Sequence, residues 1–385
     1  MVRIAPFAVE QWMDEYETTP GALNVAETCA ASVSIDDLVG MCKDPKAQGP
    51  IDTRLKLTYG PIPGSNALRE RIAAQCSTED IKLAAEDIVV TQGAIGANFL
   101  ALYSLVGPND HVVCVYPTYQ QLYEVPRSIG AEVSLWKLKE EESFVPNVDG
   151  LINLIRKNTK VKIFKCELGR IAQIAKEKGI ILFSDEVYRP LFHGGASGQI
   201  DIPKPATSLG YERTITTGSM SKGYALAGIR VGWIASKDKC IISAIMAARD
   251  YTTISVSQID DQVARYALSP AVLPSLVDRN LTLARNNAKL VKEFIGRYKA
   301  VCSWVEPTAG TTAFVRFIKN GQPINDVDFC LDLLSKNNVL FVAGSKCFGK
   351  DEDFKGYIRM GYVCETHVLV EGLKRLGAYI DANLL

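Results

Sequence analysis

From about residue 60 onward, short β-branched runs alternate with longer amphipathic segments, and this alternation constrains the fold more than any other feature. Residues 88–91 (IVVT) predict a buried strand, followed by a helix through NFLALYSLV, and 112–116 (VVCVY) predict a second strand. Further strands are expected at 132–138, 161–164, 180–184 and 214–217, and helices near 119, 148–157 and 167–178. Strands that alternate with helices form a mostly parallel sheet covered on both faces. The sequence therefore predicts a three-layer α/β/α domain.

The pattern changes after about residue 275. A long helix (LVDRNLTLARNNAKLVKEFIGRY) leads into shorter strands, TTAFVRF and VLFVA, and a final helix from His367. A chain of 385 residues is long for a single compact core. We therefore predict a large α/β domain over 46–275 and a smaller α+β domain formed by 1–45 and 276–385.

Composition excludes several classes of protein. Lys+Arg and Asp+Glu both total 43, so no charge excess favours nucleic acid or an anionic membrane. No window approaches the roughly 18 apolar residues of a membrane span, and the N-terminus lacks the apolar segment of a signal peptide. The ten scattered cysteines form no C-x-x-C pair and predict free thiols in a reducing, cytoplasmic compartment. The three histidines lie far apart in sequence, which argues against a histidine-rich metal site or a histidine-centred catalytic triad.

Two strand ends carry candidate binding groups. Asp185 in ILFSDEVYRPLF follows a buried strand at the edge where open α/β sheets bind ligands. A carboxylate buried there needs a cationic partner, although it could also cap the next turn or pair with a structural arginine. QGAIGAN (92–98) joins a strand to a helix N-terminus, whose N–H groups and dipole favour a phosphate. Such turns are common, so this second signal is weak alone.

The stretch TGSMSKGYALAGIRVGW (217–233) adds a phosphate-binding set and one extra cation. Ser219, Ser221 and Arg230 suit a phosphate dianion, and the guanidinium offers a bidentate contact. The positive charge of Lys222 is more than the phosphate needs for neutralisation, so the lysine suits the role of a Schiff-base nucleophile. An aldehyde, a phosphate and a ring nitrogen that needs a carboxylate together describe pyridoxal 5′-phosphate. Asp185 would then keep the ring nitrogen protonated.

Two tyrosines complete this prediction. Tyr188 could donate a hydrogen bond to the ring hydroxyl, and Tyr119, near a strand end, could stack on the ring. Either tyrosine could instead serve ordinary packing.

These motifs resemble the class I/II aminotransferases, which have the PLP-dependent transferase fold of type I. The matching stretches run in the family's order across most of the chain: YGPIPGSNALRERIA, TQGAIGANFL, YPTYQQL, SDEVYRPLF, SMSKGYALAGIRVGW and YIRMGY. The S-x-S-K…G-x-R-x-G and DEVY strings are specific to the family, whereas the glycine-rich turn is supporting evidence only.

The resemblance implies a role for each matched residue. Lys222 is similar to the Schiff-base lysine that also moves the α-proton, and Arg359 to the arginine that binds the substrate α-carboxylate. Tyr59 is similar to a tyrosine donated to the partner subunit's phosphate, which implies a homodimer with shared active sites. The residues implied to bind the cofactor are Gly93, Ala94, Ile95, Tyr119, Asp185, Tyr188, Ser219, Ser221 and Arg230. Arg359 could alternatively form a surface ion pair.

One departure from the family pattern falls between residues 164 and 167. The family has an N-P-x-x-P-T-G-like loop there, whose asparagine binds the cofactor ring hydroxyl, and no such string exists in this chain. Strand–helix connections usually take about 2–6 residues, yet VKIF passes almost directly into helical periodicity. Either the loop is deleted or its residues are missing from the printed sequence. A true deletion would put simple transamination in doubt.

Three functions follow from these patterns. The leading one is transfer of an amino group from an L-amino acid to a 2-oxo acid. Glu27, in LNVAETCAAS, resembles an element of aminocyclopropane-carboxylate synthases, so elimination, replacement, cyclisation or oxidation of an amino acid is the alternative. Glu27 would then act as an extra acid/base or hold a cationic group, unless it merely caps a helix or lies in solvent. A non-catalytic binding module is the third reading, which the intact Lys222, Asp185 and Arg359 oppose.

Overall fold

The computed structural model describes residues 4–164, 168–350 and 353–385. The chain divides into two compact units. The larger comprises mainly Ser32–Arg189 and Ile202–Val277, and the smaller comprises Pro6–Ala31, Pro190–Asp201 and Asp278–Leu385. Residues 32–45 thus group with the larger unit and 190–201 with the smaller.

A seven-stranded sheet forms the centre of the larger unit, within the described part of the chain. Its strands are β1 (Ile88–Gln92), β2 (His111–Tyr116), β3 (Glu132–Lys137), β4 (Thr159–Phe164), β5 (Ile181–Asp185), β6 (Thr214–Ser219) and β7 (Val231–Ala235). They lie in the order β1-β7-β6-β5-β4-β2-β3. Neighbouring strands from β6 to β3 run parallel, whereas β7 is antiparallel to both β6 and β1. The predicted mostly parallel α/β sheet is confirmed.

Helices cover both faces of this sheet. They are α1 (Ile35–Gly40), α2 (Asn66–Gln75), α3 (Gly93–Leu105), α4 (Gln121–Ser128), α5 (Val148–Leu154), α6 (Leu168–Lys178), α7 (Lys239–Arg249) and α8 (Gln258–Ala267). Alternation along β5 shows why both faces need cover: Ile181 and Phe183 join one buried cluster with α3, and Leu182 joins another with α6. Burial on both faces requires a near-continuous apolar strand, which is the pattern that the sequence shows.

The smaller unit is α+β. Its antiparallel sheet contains Cys302–Trp304, Thr312–Lys319, Gln322–Pro323, Val342–Ala343 and Tyr357–Gly361. A second, two-stranded parallel pair joins Leu23–Asn24 to Val339–Leu340. Its helices are Ala8–Tyr16, most of Leu273–Arg297, Asp326–Asn337, Gly344–Phe348 and Thr366–Asn383.

The sequence raised two further questions, about a loop between residues 164 and 167 and about membrane-spanning segments. The loop that we expected between residues 164 and 167 falls on 165–167, outside the described residues, so it stays a prediction. Among the helices that the structure describes, none has both the length and the apolar character needed to span a bilayer.

Candidate active site

One edge of the large sheet gathers the candidate groups of the larger unit. Strands β1, β5 and β6 end there, at Gln92, Asp185 and Ser219, and β7 begins there at Val231. Gln92 pairs with Val231 and Ser219 pairs with Gly232, so β7 links the ends of β1 and β6. We call this edge the carboxyl edge.

Asp185 is a buried carboxylate at the carboxyl edge. It is 7% exposed, and its Oδ1 accepts a hydrogen bond of 3.2 Å from the Val187 N–H. Its Oδ2 accepts one of 3.0 Å from Asn98 Nδ2. Within the described residues no lysine, arginine or histidine forms an ion pair with it, whereas the adjacent Glu186 pairs with Arg189 at 2.8 Å. Asp185 therefore keeps acceptor capacity for a cationic ligand group, besides capping its own turn.

The first turn of α3 supplies backbone donors. Gly93 begins the helix with φ +69°, a conformation that favours glycine. In the described part of the chain, the side chain of the preceding Gln92 does not cap the N–H groups of this turn, which comprises Gly93, Ala94 and Ile95. Helix N–H groups at an N-terminus form a site for an anion.

Arg230 lies beside this turn. A Cβ atom on Gly93 would approach Arg230 Nη2 to 2.7 Å, which places the exposed guanidinium against the start of α3. Arg230 Nη1 also donates to Ser221 Oγ at 3.4 Å and to the Ala227 carbonyl at 2.8 Å. The structure therefore brings together the arginine, a serine hydroxyl and the helix N-terminus.

Ser219 and Lys222 stand at the same edge. The Ser221 N–H donates to Ser219 Oγ at 3.2 Å, and both serines are buried. Lys222 is half-buried and follows the end of β6 by three residues. Asp185 pairs with Thr217 of β6, so the strand that leads to Lys222 neighbours the strand that delivers the carboxylate.

The predicted aromatic residues are also near strand ends. Tyr119 follows β2 and packs half-buried against the apolar cluster of α3 and α4. Tyr188 is half-buried three residues after Asp185. Tyr59 differs from both because its side chain is 80% exposed.

Arg359 and Glu27 belong to the smaller unit. Arg359 lies on strand Tyr357–Gly361, and its Nη2 donates to the Ala26 carbonyl at 2.8 Å. A Cβ on Gly361 would lie 1.8 Å from the Glu27 carbonyl oxygen, so the chain segment of Glu27 runs directly along this strand. Glu27 Oε1 accepts from the Thr28 N–H at 2.6 Å and the Cys29 N–H at 3.1 Å. The carboxylate is folded onto its own backbone, as a capping residue would be.

Sequence reasoning did not single out Asn98. The residue is 1% exposed on α3 and contacts both Asp185 and Thr217. A polar side chain inside the apolar run ANFLALY was the available signal, because buried amides are retained only where they find hydrogen-bond partners.

Comparison with known proteins identifies clear relatives. The family model for aminotransferase class I and II matches residues 46–376. Capreomycidine synthase of Streptomyces vinaceus is 29% identical over 347 residues, 86% of this chain and 82% of that protein. An aspartate aminotransferase of Thermotoga maritima is 26% identical, over 83% and 82% of the two chains.

The chain is also similar to solved structures of PLP-dependent enzymes. A PLP-dependent aminotransferase from Streptococcus suis has a TM-score of 0.87 at 33% identity and covers 98% of both chains. The PLP-dependent cyclase OrfR has a TM-score of 0.84 at 21% identity, over 98% of this chain and 97% of that one, which indicates a shared fold.

Proposed function

The chain belongs to the class I and II aminotransferase family, and from this premise we propose that it binds pyridoxal 5′-phosphate and transfers the amino group of an L-amino acid to a 2-oxo acid. The observation that carries the proposal is the carboxyl edge. Arg230 lies against Gly93 there and donates to Ser221, and Asp185 ends a nearby strand of the same sheet.

The residues of this edge fit the cofactor. A phosphate dianion needs several donors that are already oriented, and the first turn of α3, Ser219, Ser221 and Arg230 provide them. Glycine at 93 leaves open the space in which the guanidinium lies, since a Cβ there would reach Nη2 at 2.7 Å. A protonated ring nitrogen needs a carboxylate, and Asp185 is a buried carboxylate that pairs with no cation among the described residues. The larger unit is therefore proposed as the cofactor-binding domain.

When bound, the cofactor supplies an electron sink for the negative charge left by loss of a proton from the substrate Cα. Lys222 Nζ is assigned the covalent attachment and the movement of that proton. Asp185 would hold the proton on the ring nitrogen, Tyr188 would donate to the ring hydroxyl, and Tyr119 would pack against the ring. The residues that would bind the phosphate are Gly93, Ala94, Ile95, Ser219, Ser221 and Arg230.

Substrate binding is assigned to the smaller unit. The guanidinium of Arg359 is proposed to bind the α-carboxylate through two parallel N–H···O bonds. Its bond to the Ala26 carbonyl supports this role, because it fixes one end of the guanidinium at 2.8 Å. Such a fixed fork loses less conformational entropy when the substrate binds.

The proposal includes a homodimer, with Tyr59 reaching the partner subunit's phosphate. Support comes from exposed apolar residues in the larger unit, where Leu57 is 71%, Tyr59 80% and Tyr251 93% exposed. Leu57 and Tyr59 are also close in sequence, and large apolar side chains exposed near one another are typical of sites of association. The nine described cysteines are free thiols, which supports the proposed cytoplasmic location.

Cyclisation or elimination is the second candidate function. It is favoured by Glu27, whose segment lies along the strand of Arg359, and by the similarity to capreomycidine synthase. In this candidate the Glu27 carboxylate releases its backbone partners and acts on the substrate side chain as an acid/base, or binds a cationic group of it.

The test begins with protein reconstituted with pyridoxal 5′-phosphate and a screen of L-amino acids, followed by absorbance. An aminotransferase loses the Schiff-base absorbance when a donor is added and recovers it with a 2-oxo acid. Ammonia or a ring product formed without a 2-oxo acid supports the second candidate instead. Lys222→Ala should abolish covalent attachment after borohydride reduction, while Lys157→Ala, an exposed lysine on the larger unit, should retain it. Absence of a Schiff-base absorbance in the wild type refutes both candidates.

A further inference from the structure

Asn98 connects three elements in the interior of the larger unit. It lies on α3, with Asp185 at the end of β5 and Thr217 on β6. Its exposure is 1%, and those of the two partners are 7% and 0%. Asn98 Nδ2 donates to Asp185 Oδ2 at 3.0 Å, and Thr217 Oγ1 donates to Asn98 Oδ1 at 2.7 Å.

The Asp185 carboxylate fixes the orientation of the amide, and the Thr217 hydroxyl completes the network. A side-chain amide has an acceptor end and a donor end, and the assignment of the two follows from the network. Because an ionised carboxylate only accepts hydrogen bonds, the NH₂ group faces Asp185, and the Thr217 hydroxyl donates to Oδ1 at the other end of the amide. Thr217 is held in turn by strand pairing with Asp185, and its carbonyl accepts from the Glu186 N–H at 2.8 Å.

Each oxygen of the Asp185 carboxylate accepts a hydrogen bond from one of two donors. Oδ2 receives the Asn98 amide and Oδ1 receives the Val187 N–H. Each carboxylate oxygen can accept two hydrogen bonds, so each keeps one acceptor position. An ionised carboxylate in a buried site is costly unless donors or cations compensate it, and here the described compensation consists of these two N–H groups.

We propose that Asn98 is a positioning residue that holds the Asp185 carboxylate in the orientation that receives the ring N–H of the cofactor. This inference rests on the proposed function, since it requires pyridoxal 5′-phosphate at the carboxyl edge. The amide does not touch the cofactor; it acts through Asp185. Without the amide, the carboxylate loses one of two fixed donors and can rotate away from the direction that the ring needs.

A packing role for Asn98 makes a different prediction from a hydrogen-bonding role. Neighbours of Asn98 on α3, Ala97, Leu100 and Ala101, belong to the apolar core, so the side chain also fills space between helix and sheet. Aspartate matches asparagine in shape, and alanine does not. If shape alone matters, Asn98→Asp is the milder change. If donation to Asp185 matters, Asn98→Asp is more severe than Asn98→Ala, because two carboxylates about 3 Å apart cannot both ionise.

The experiment titrates apoenzyme with pyridoxal 5′-phosphate and records the dissociation constant, the absorbance spectrum and the melting temperature. Asn98→Ala should weaken cofactor binding about tenfold, as expected for loss of a hydrogen bond to a charged group. Asn98→Asp should weaken it further and change the spectrum of the bound cofactor. Thr217→Val, which keeps the shape and removes the hydroxyl, should cause a smaller loss in the same direction. Ser104→Ala on the same helix, where Ser104 Oγ donates to the Leu100 carbonyl at 2.6 Å, should match the wild type.

The outcomes separate this inference from the proposed function. If wild-type protein binds no pyridoxal 5′-phosphate, the proposed function fails and the inference with it. If the wild type binds it, but Asn98→Asp binds at least as tightly as Asn98→Ala, the positioning role is refuted and packing explains the residue. If neither substitution at 98 yields folded protein, Thr217→Val decides, and unchanged affinity and spectrum in that variant overturn the proposal.

Discussion

Replacing Gly232 by alanine should disrupt the carboxyl edge, although Gly232 is not one of the residues proposed to bind the cofactor. Gly232 lies on β7, paired with Thr91 of β1 on one side and Ser219 of β6 on the other. A Cβ atom there would approach the Gly93 carbonyl carbon to 2.3 Å and the Ala94 nitrogen to 2.6 Å. Non-bonded carbons normally sit about 3.5–4.0 Å apart. The first turn of α3 must therefore move by about 1 Å, since the atoms in the way are backbone.

The size of the effect follows from this displacement. Overpacking a filled site lowers the free energy of unfolding by about 1–3 kcal/mol. A shift of about 1 Å also takes backbone N–H groups from about 2.9 Å to nearly 4 Å from a bound phosphate oxygen, beyond hydrogen-bond range. Loss of two such bonds to a charged group costs about 3 kcal/mol or more, which corresponds to at least about 100-fold weaker cofactor binding.

Gly228→Ala is the matched control. Gly228 lies four residues upstream and does not need a left-handed backbone, and no atom of the described residues lies within 4 Å of the position that its Cβ would take. Its replacement should change the free energy of unfolding by no more than about 0.5 kcal/mol, and the reduced freedom of the unfolded chain favours stabilisation. Its cofactor affinity should equal that of the wild type.

Urea denaturation of the apoenzyme and titration with pyridoxal 5′-phosphate measure the two effects. Wild-type affinity in Gly232→Ala, with its stability lowered as expected, would show that the start of α3 does not bind the phosphate. Wild-type values for both quantities would show that β7 does not approach α3 as described.

Three further predictions concern single side chains. Arg230→Lys should weaken cofactor binding about tenfold, because lysine cannot reproduce a bidentate contact; an unchanged dissociation constant would contradict this assignment. Arg359→Ala should raise KM for the amino acid about 100-fold, through loss of two charge-assisted bonds, and leave the affinity for pyridoxal 5′-phosphate unchanged; steady-state kinetics and titration test both parts. Burial lowers the pKa of His193 from 6.5 to about 4, so the unfolded chain binds the proton more readily and stability falls as pH drops through 6.5 towards 4. Between pH 7 and 5, protonation of His193 in the unfolded chain should lower the free energy of unfolding by about 2 kcal/mol. Urea denaturation at several pH values should show that His193→Gln removes this part of the pH dependence.

Local patterns were enough to predict most strands of the large sheet. IVVT, VVCVY and ILFS are apolar runs bounded by turn residues, and the structure has β1, β2 and β5 at these positions. Such runs are informative because a strand buried on both faces must be apolar along its length. The predicted family is likewise confirmed. It could be predicted because its motifs combine a lysine, an arginine and small residues at fixed spacing.

Other parts of the site could not be predicted from local pattern. We did not expect a strand at Val231–Ala235, although VGWIA is apolar, because it follows closely on the loop of Lys222 and Arg230. Asn98 lies in the stretch QGAIGAN, but sequence reasoning assigned it no role, because its partners Asp185 and Thr217 lie far from it in sequence. The Glu27 carboxylate binds its own backbone, a choice among rotamers that residue type does not reveal.

The sequence alone determined the α/β class, the family and the groups that point to the cofactor, because hydrophobic periodicity and motif spacing are properties of neighbouring residues. Only the tertiary structure decided how these groups meet. The antiparallel insertion of β7 between β1 and β6 sets Arg230 against Gly93, and α3 packs so that Asn98 reaches Asp185. Strand order and helix packing are selected by the free energy of burying the whole sheet, and no short stretch of the chain contains that information.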